Sequence, residues 1–168
     1  MSRLLIFGMG YTANALSARL RTEGWRVTGT TRDGRGDTLH FDDRDAVLAE
    51  MAAATHVLSS VPPEGEDDPV LAAYDVQARW VGYLSSTGVY GDTGGAWVDE
   101  SASTGGGRRK ARAAADGAWL ARGAHVFRLP GIYGPAARHW TRCGTVRPTG
   151  STRAACSAGC MSMTSSPA

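Results

Sequence analysis

The chain has 168 residues, 42% of them hydrophobic and 20% charged, with 22 glycines; this is the balance of one soluble domain with many tight turns. No run of eighteen apolar residues occurs, and Leu4-Leu5-Ile6-Phe7 meets glycine too soon for a signal peptide, so no membrane span is expected and the cytoplasm is the expected location. Residues 136–168 hold four arginines, all three cysteines and no acid. The body before them is mildly acidic, which excludes a basic face for nucleic acid.

Leu4 to Phe7 is a short continuous apolar run, the pattern of a strand buried on both faces of a parallel sheet. Ala13, Leu16 and Leu20 recur at helical spacing and predict a helix ending near Gly24. Trp25 to Thr30 reads as the second strand, Leu39 to Phe41 as a short third, and Asp45 to Ala53 as a helix. Thr55 to Val61 is the expected fourth strand, halted by Pro62-Pro63. Trp80 to Ser85 and His125 to Leu129 complete the set. Strands alternating with helical stretches predict a doubly wound α/β sheet. The connection between the fourth and fifth strands is near the shortest a parallel crossover allows, and its helix after Pro69 looks shortened. Residues 101–107 are Ser, Ala, Thr and Gly only and read as a mobile loop.

Gly8-Met9-Gly10-Tyr11-Thr12-Ala13 is a G-x-G-x-x-A turn lying between a buried strand and a helix. In that context it is the Rossmann fingerprint for a dinucleotide. Gly8 permits the tight turn, Gly10 lets the backbone approach a pyrophosphate, and Ala13 allows close helix-to-strand packing. The free N–H groups at the helix start, from Tyr11 onward through Thr12, would face the phosphates. The other reading is a glycine-rich turn with no ligand. An NAD-preferring site carries Asp or Glu at the end of the second strand; here Thr30-Thr31-Arg32 stands there. Hydroxyls and a guanidinium suit a 2′-phosphate, so NADP(H) is expected over NAD(H), through Thr31 and Arg32. Arg32 as a solvated loop residue is the alternative. Asp42 and Asp43 follow the third strand, where a carboxylate can reach an adenine amino group or simply serve a turn.

Three motifs in order carry a family resemblance: the glycine turn, Ser85-Ser86-Thr87-Gly88-Val89-Tyr90-Gly91, and Arg128-Leu129-Pro130-Gly131-Ile132-Tyr133-Gly134-Pro135. Together they resemble the extended or atypical short-chain dehydrogenase/reductases, in particular the NAD-dependent epimerase/dehydratase-like proteins. The resemblance spans residues 3–135. It implies a Rossmann-type domain at 1–135 followed by a smaller substrate lobe, and an oxidoreductase or nucleotide-sugar epimerase/dehydratase chemistry on an unidentified small molecule. It also implies that Ser86, four residues before Tyr90, hydrogen-bonds the reacting oxygen; capping the loop is the other reading of that hydroxyl.

The family's Tyr-x-x-x-Lys pair has no match. Aligning Asp116 with the family's helix Glu puts Arg112 in the lysine place and Arg108 in the tyrosine place. Arginine, with a pKa above about 12, is a poor proton shuttle. Lys110 is out of register, and Tyr90 belongs to the strand-end motif, so no acid/base is assigned.

The resemblance stops at Pro135. Residues 136–168 contain no Leu, Ile, Phe, Asp, Glu or Lys, a composition that cannot continue a packed α/β domain. The substrate lobe therefore reads as missing or scrambled. His139, Cys143, Cys156 and Cys160 have zinc-like spacing but lack the apolar surroundings of such a site, and no metal is expected. A change of reading frame accounts better for the segment. Codons for Ser157 to Pro167, regrouped by two bases, permit S-R-M-H-V-D-D-I-V-A, and the same frame after Pro135 permits G-R-S-A-L-D-A-V-R. A disordered tail is the alternative. The expected function is thus an NADP(H)-binding short-chain-dehydrogenase-like protein. A non-catalytic or redox-sensing dinucleotide module, and an inactive remnant, are the rivals.

Overall fold

The computed structural model describes residues 2–65, 67–105 and 110–134. Six strands form one parallel sheet: β1 (Arg3–Phe7), β2 (Arg26–Thr31), β3 (Leu39–His40), β4 (His56–Ser59), β5 (Trp80–Ser86) and β6 (His125–Leu129). Their spatial order is β3-β2-β1-β4-β5-β6, the doubly wound order of dinucleotide-binding folds, with its switch point between β1 and β4. The helices are α1 (Tyr11–Thr22), α2 (Arg44–Ala53), α3 (Pro69–Ala73) and α4 (Lys110–Ala121), with a 3₁₀ turn at Thr87–Tyr90.

Alternation along β1 divides the core. Leu5 and Phe7 pack with Val47 and Met51 of α2, Val70 of α3, and Ala115 and Trp119 of α4. Leu4 and Ile6 face the other way, against Ala13, Leu16 and Leu20 of α1. Right-handed crossovers explain the split: β1-α1-β2 winds toward one sheet edge and the later units wind toward the other, so their helices fall on opposite faces. Trp119 and Tyr83 are fully buried and stacked, with centroids 5.3 Å apart. The Trp119 indole N–H donates to Asp68 at 2.8 Å, and the same carboxylate caps α3 by accepting from Val70 and Leu71. One buried acid thus caps the helix of the thin β4–β5 crossover and ties it to α4.

The boundaries differ from the sequence reading in instructive places. The second strand runs from Arg26 to Thr31 rather than Trp25 to Thr30, because Thr31 pairs with His40 and extends the ladder. The third stops at His40, short of Phe41. The fourth is His56–Ser59, not Thr55 to Val61. Ser60 N–H closes the last rung of the ladder by donating to the Phe7 carbonyl at 2.9 Å, and its hydroxyl then turns to the Gly8 carbonyl, beyond the end of β1. The crossover helix is indeed short, with five residues. Residues 101–105 hold neither helix nor strand. The expectations for Arg108, Arg109 and residues 136–168, including the zinc-like cluster and the shifted frame, lie outside the described residues. Among those described, no helix is long and apolar enough to cross a membrane, and no cluster of metal-binding side chains occurs.

Candidate functional site

The carboxyl ends of β1, β2 and β4 open into a groove of about 720 Å³ at the switch point, lined by Gly8, Met9 and Gly10 on its floor. Chain geometry makes that floor. Gly8 has φ +83°, a left-handed conformation that a side chain resists. A Cβ there would also sit 2.9 Å from Val61 Cγ2. The turn is pinned from both sides: Gly8 N–H donates to Thr30 Oγ1 at 3.3 Å, Met9 N–H to the Thr30 carbonyl at 3.0 Å, and Ser60 holds the Gly8 carbonyl.

Gly10 differs from Gly8. Its φ is −85° and a Cβ would meet nothing within 4 Å. The space beside it is open toward the groove, as an approaching ligand requires. Gly10 also caps α1 with no side chain accepting from the first turn, and that turn contains no acid. The twelve-residue helix therefore points free N–H groups and its positive end at an open cradle. Ala13 is fully buried against β1, so the helix sits close to the sheet. Tyr11 is 44% exposed at the helix start, with its hydroxyl against Gly134 in the segment following β6. Thr12 is half-buried beside it. These features fit the pyrophosphate of a dinucleotide.

The side of the groove beyond the end of β2 is more crowded with charge. Thr31, Arg32 and Asp42 all line it. The Thr31 hydroxyl is 2.7 Å from that of Thr38 and accepts from Arg35 N–H at 3.2 Å, so it braces the loop after β2. Arg32 forms an ion pair with Glu64 from the far lip of the groove. Arg35, a second guanidinium lining the groove, is 3.5 Å from Asp33; the sequence reading passed over it, although it lies three residues after Arg32. Asp42 and Asp43 part company. Asp43 caps α2 by accepting from Ala46 N–H at 3.2 Å, while exposed Asp42 lines the groove.

Ser86 ends β5 outside that groove lining, and its Oγ accepts from Gly88 N–H at 3.2 Å. The hydroxyl thus caps the strand-end turn as an acceptor. Beneath it lies a buried network that the sequence reading did not assemble. Asp116 is 1% exposed and receives Arg128 Nη2 at 2.8 Å and Ser85 Oγ at 2.7 Å. Arg128 also donates to the Tyr90 hydroxyl at 3.0 Å and lies over its ring, 5.0 Å from the centroid. The hydrogen bonds to Asp116 and then Tyr90 hold Arg128 firmly in its charged form. Tyr90 is therefore engaged in packing the motif. Arg112, which the resemblance sets where a lysine is expected, donates to the Tyr83 hydroxyl at 3.3 Å. Burial pushes the Tyr83 phenol above its ordinary value of 10.0, with Arg112 partly opposing.

Neither a family model nor a curated protein matches the chain. Solved structures do. A conserved protein of unknown function from Silicibacter pomeroyi DSS is 37% identical, with TM-score 0.66, over 88% of this chain and 61% of that one. A protein from Methylobacillus flagellatus described as an NAD-dependent epimerase/dehydratase is 25% identical, with TM-score 0.67, over 86% of this chain and 60% of its own. A short-chain dehydrogenase/reductase superfamily protein from Agrobacterium tumefaciens, solved with bound NAD, is 17% identical, with TM-score 0.54, over 76% and 48%. The chain spans about three-fifths of the length of the first two. These neighbours, among them proteins described as an NAD-dependent epimerase/dehydratase and a short-chain dehydrogenase/reductase, share the fold of this chain, a Rossmann-type parallel sheet flanked by helices.

Proposed function

We propose that this chain binds NADP(H) in the switch-point groove, in preference to NAD(H), as the nucleotide half of an oxidoreductase or nucleotide-sugar epimerase/dehydratase. The supporting observation is the uncapped, acid-free N-terminus of α1 beside open space at Gly10. The preference rests on two arginines and no acid at the end of β2 until Asp33. A guanidinium grips a phosphate through paired hydrogen bonds, which a ribose hydroxyl cannot match. Asp42, on the groove lining, would accept from an adenine amino group.

Such a cofactor supplies hydride exchange with a substrate carbon. The chain's own contribution is placement: Gly8 and Gly10 admit the phosphates, and the Ser86 hydroxyl donates to a substrate oxygen. The buried Asp116–Arg128 pair fixes β5, β6 and the 3₁₀ turn around Ser86. A second reading, a dinucleotide module without turnover, is favoured by α4, which among the described residues contains no tyrosine and sets Arg112 against the Tyr83 hydroxyl.

Titration with NADPH and with NADH, followed by nucleotide fluorescence, tests the first reading. NADPH should bind more tightly, and Arg32→Ala should weaken NADPH by about fivefold while leaving NADH unchanged, near 1 kcal/mol for an exposed charge contact. Equal loss for both nucleotides would remove the case for NADP(H). Tight NADPH binding with no hydride transfer to any carbonyl or nucleotide sugar would favour the module without turnover.

A further inference from the structure

The groove has two lips, and they carry opposite charge toward each other. Arg32 comes from the loop after β2, and Glu64 from the connection between β4 and α3; their side chains pair across the opening, 32 residues apart in sequence. Both remain reachable from solvent, at 83% and 59% side-chain exposure. Glu64 is nonetheless held in place by its backbone. Its N–H donates to the Asp67 carbonyl at 3.0 Å, Asp67 N–H donates back at 3.2 Å, and Gly65 makes the turn between them with φ +61°. Asp68 and Pro69 then anchor the loop to α3. Arg35, by contrast, is paired with Asp33 of its own loop.

We infer that Glu64 is a specificity-determining residue of this groove, competing with a nucleotide 2′-phosphate for Arg32. The inference rests on the NADP(H) reading above and adds a residue working against it. A phosphate arriving at Arg32 takes the place of the Glu64 carboxylate and must then lie near that displaced negative charge. A nucleotide with a free 2′-hydroxyl meets no such repulsion and leaves the pair closed. Arg32 therefore favours NADP(H), Glu64 moderates that preference, and the choice of cofactor depends on both lips. Because the pair is exposed, its effect is modest and falls with ionic strength.

Four full-length proteins decide the matter: the native chain, Glu64→Gln, Arg32→Ala, and the double variant, each titrated with NADPH and with NADH at low salt. Glu64→Gln should tighten NADPH by about threefold with NADH unchanged. The gain should vanish in the Arg32→Ala background and shrink as salt is added. An equal shift for both nucleotides, or a gain that survives without Arg32, overturns the role of Glu64. If Glu64→Gln changes nothing while Arg32→Ala still weakens NADPH, the inference fails and the NADP(H) reading stands. If Arg32→Ala leaves NADPH untouched, the NADP(H) reading itself fails. Unchanged thermal midpoints across the four proteins keep these readings separate from misfolding.

Discussion

Two glycines two residues apart are held for different reasons, and single substitutions separate them. At Gly8 the backbone conformation and Val61 both oppose a side chain. Gly8→Ala should therefore cost about 1–3 kcal/mol of stability, read as a lower urea midpoint, along with loss of nucleotide binding. Gly10 has an ordinary φ and open space. Gly10→Ala should stay within about 1 kcal/mol of the native stability, the scale of a changed helix cap. It should weaken NADPH and NADH alike, because the added methyl fills the approach to the phosphates. Equal nucleotide affinity in Gly10→Ala and native protein would show that no ligand comes close to that backbone.

The elements around Ser86 depend on one buried charge. Asp116 of α4 receives Arg128 of β6 and Ser85 of β5, and Arg128 reaches on to Tyr90 and to the Glu100 carbonyl. Removing one partner of a buried pair leaves the other charge uncompensated, which costs about 3–5 kcal/mol. Asp116→Ala should fall in that range by denaturant unfolding. Arg128 at 13% side-chain exposure is the group left without its counter-charge. A change below about 1 kcal/mol would mean that the pair is solvated in solution. Helix and strand positions here were legible from the apolar pattern, since β1 and β6 begin and end within one residue of expectation. The ends of β2 and β4 were not, because side-chain and backbone partners from distant strands set them.

At the scale of the whole molecule, the two faces of the sheet are unequal. Among the described residues, three helices cover one face, while α1 alone packs on the other. Beyond α1, an apolar groove of about 460 Å³ runs across β4, β5 and β6, lined by Leu58, Trp80, Leu84, Phe127 and Leu129 with Trp25 at its rim. Both faces of a parallel sheet are normally covered, and among the described residues only Leu16 and Leu20 of α1 border this groove, with no helix over β5 and β6. The chain should accordingly bind a hydrophobic dye such as anilinonaphthalene sulfonate in its folded state. Phe127 is 44% exposed, so Phe127→Lys should fold normally, keep its nucleotide affinity and lose most of the dye fluorescence. Full dye binding in that variant would place the apolar surface elsewhere.

The sequence by itself determined the class of fold and the position of the phosphate turn. Both depend on local rules: a buried strand reads as a continuous apolar run, and a tight βα turn demands glycine where φ is positive. It also pointed to Asp116 as an aligned position on α4 without showing its partners. Only the tertiary structure separated Asp43, a helix cap, from Asp42, which faces the groove. Only the tertiary structure brought Glu64 to Arg32 and Asp116 to Arg128. Those pairings join residues of different loops and strands, set by the order and register of the sheet, and charge spacing along a chain carries no record of what the fold will place opposite it.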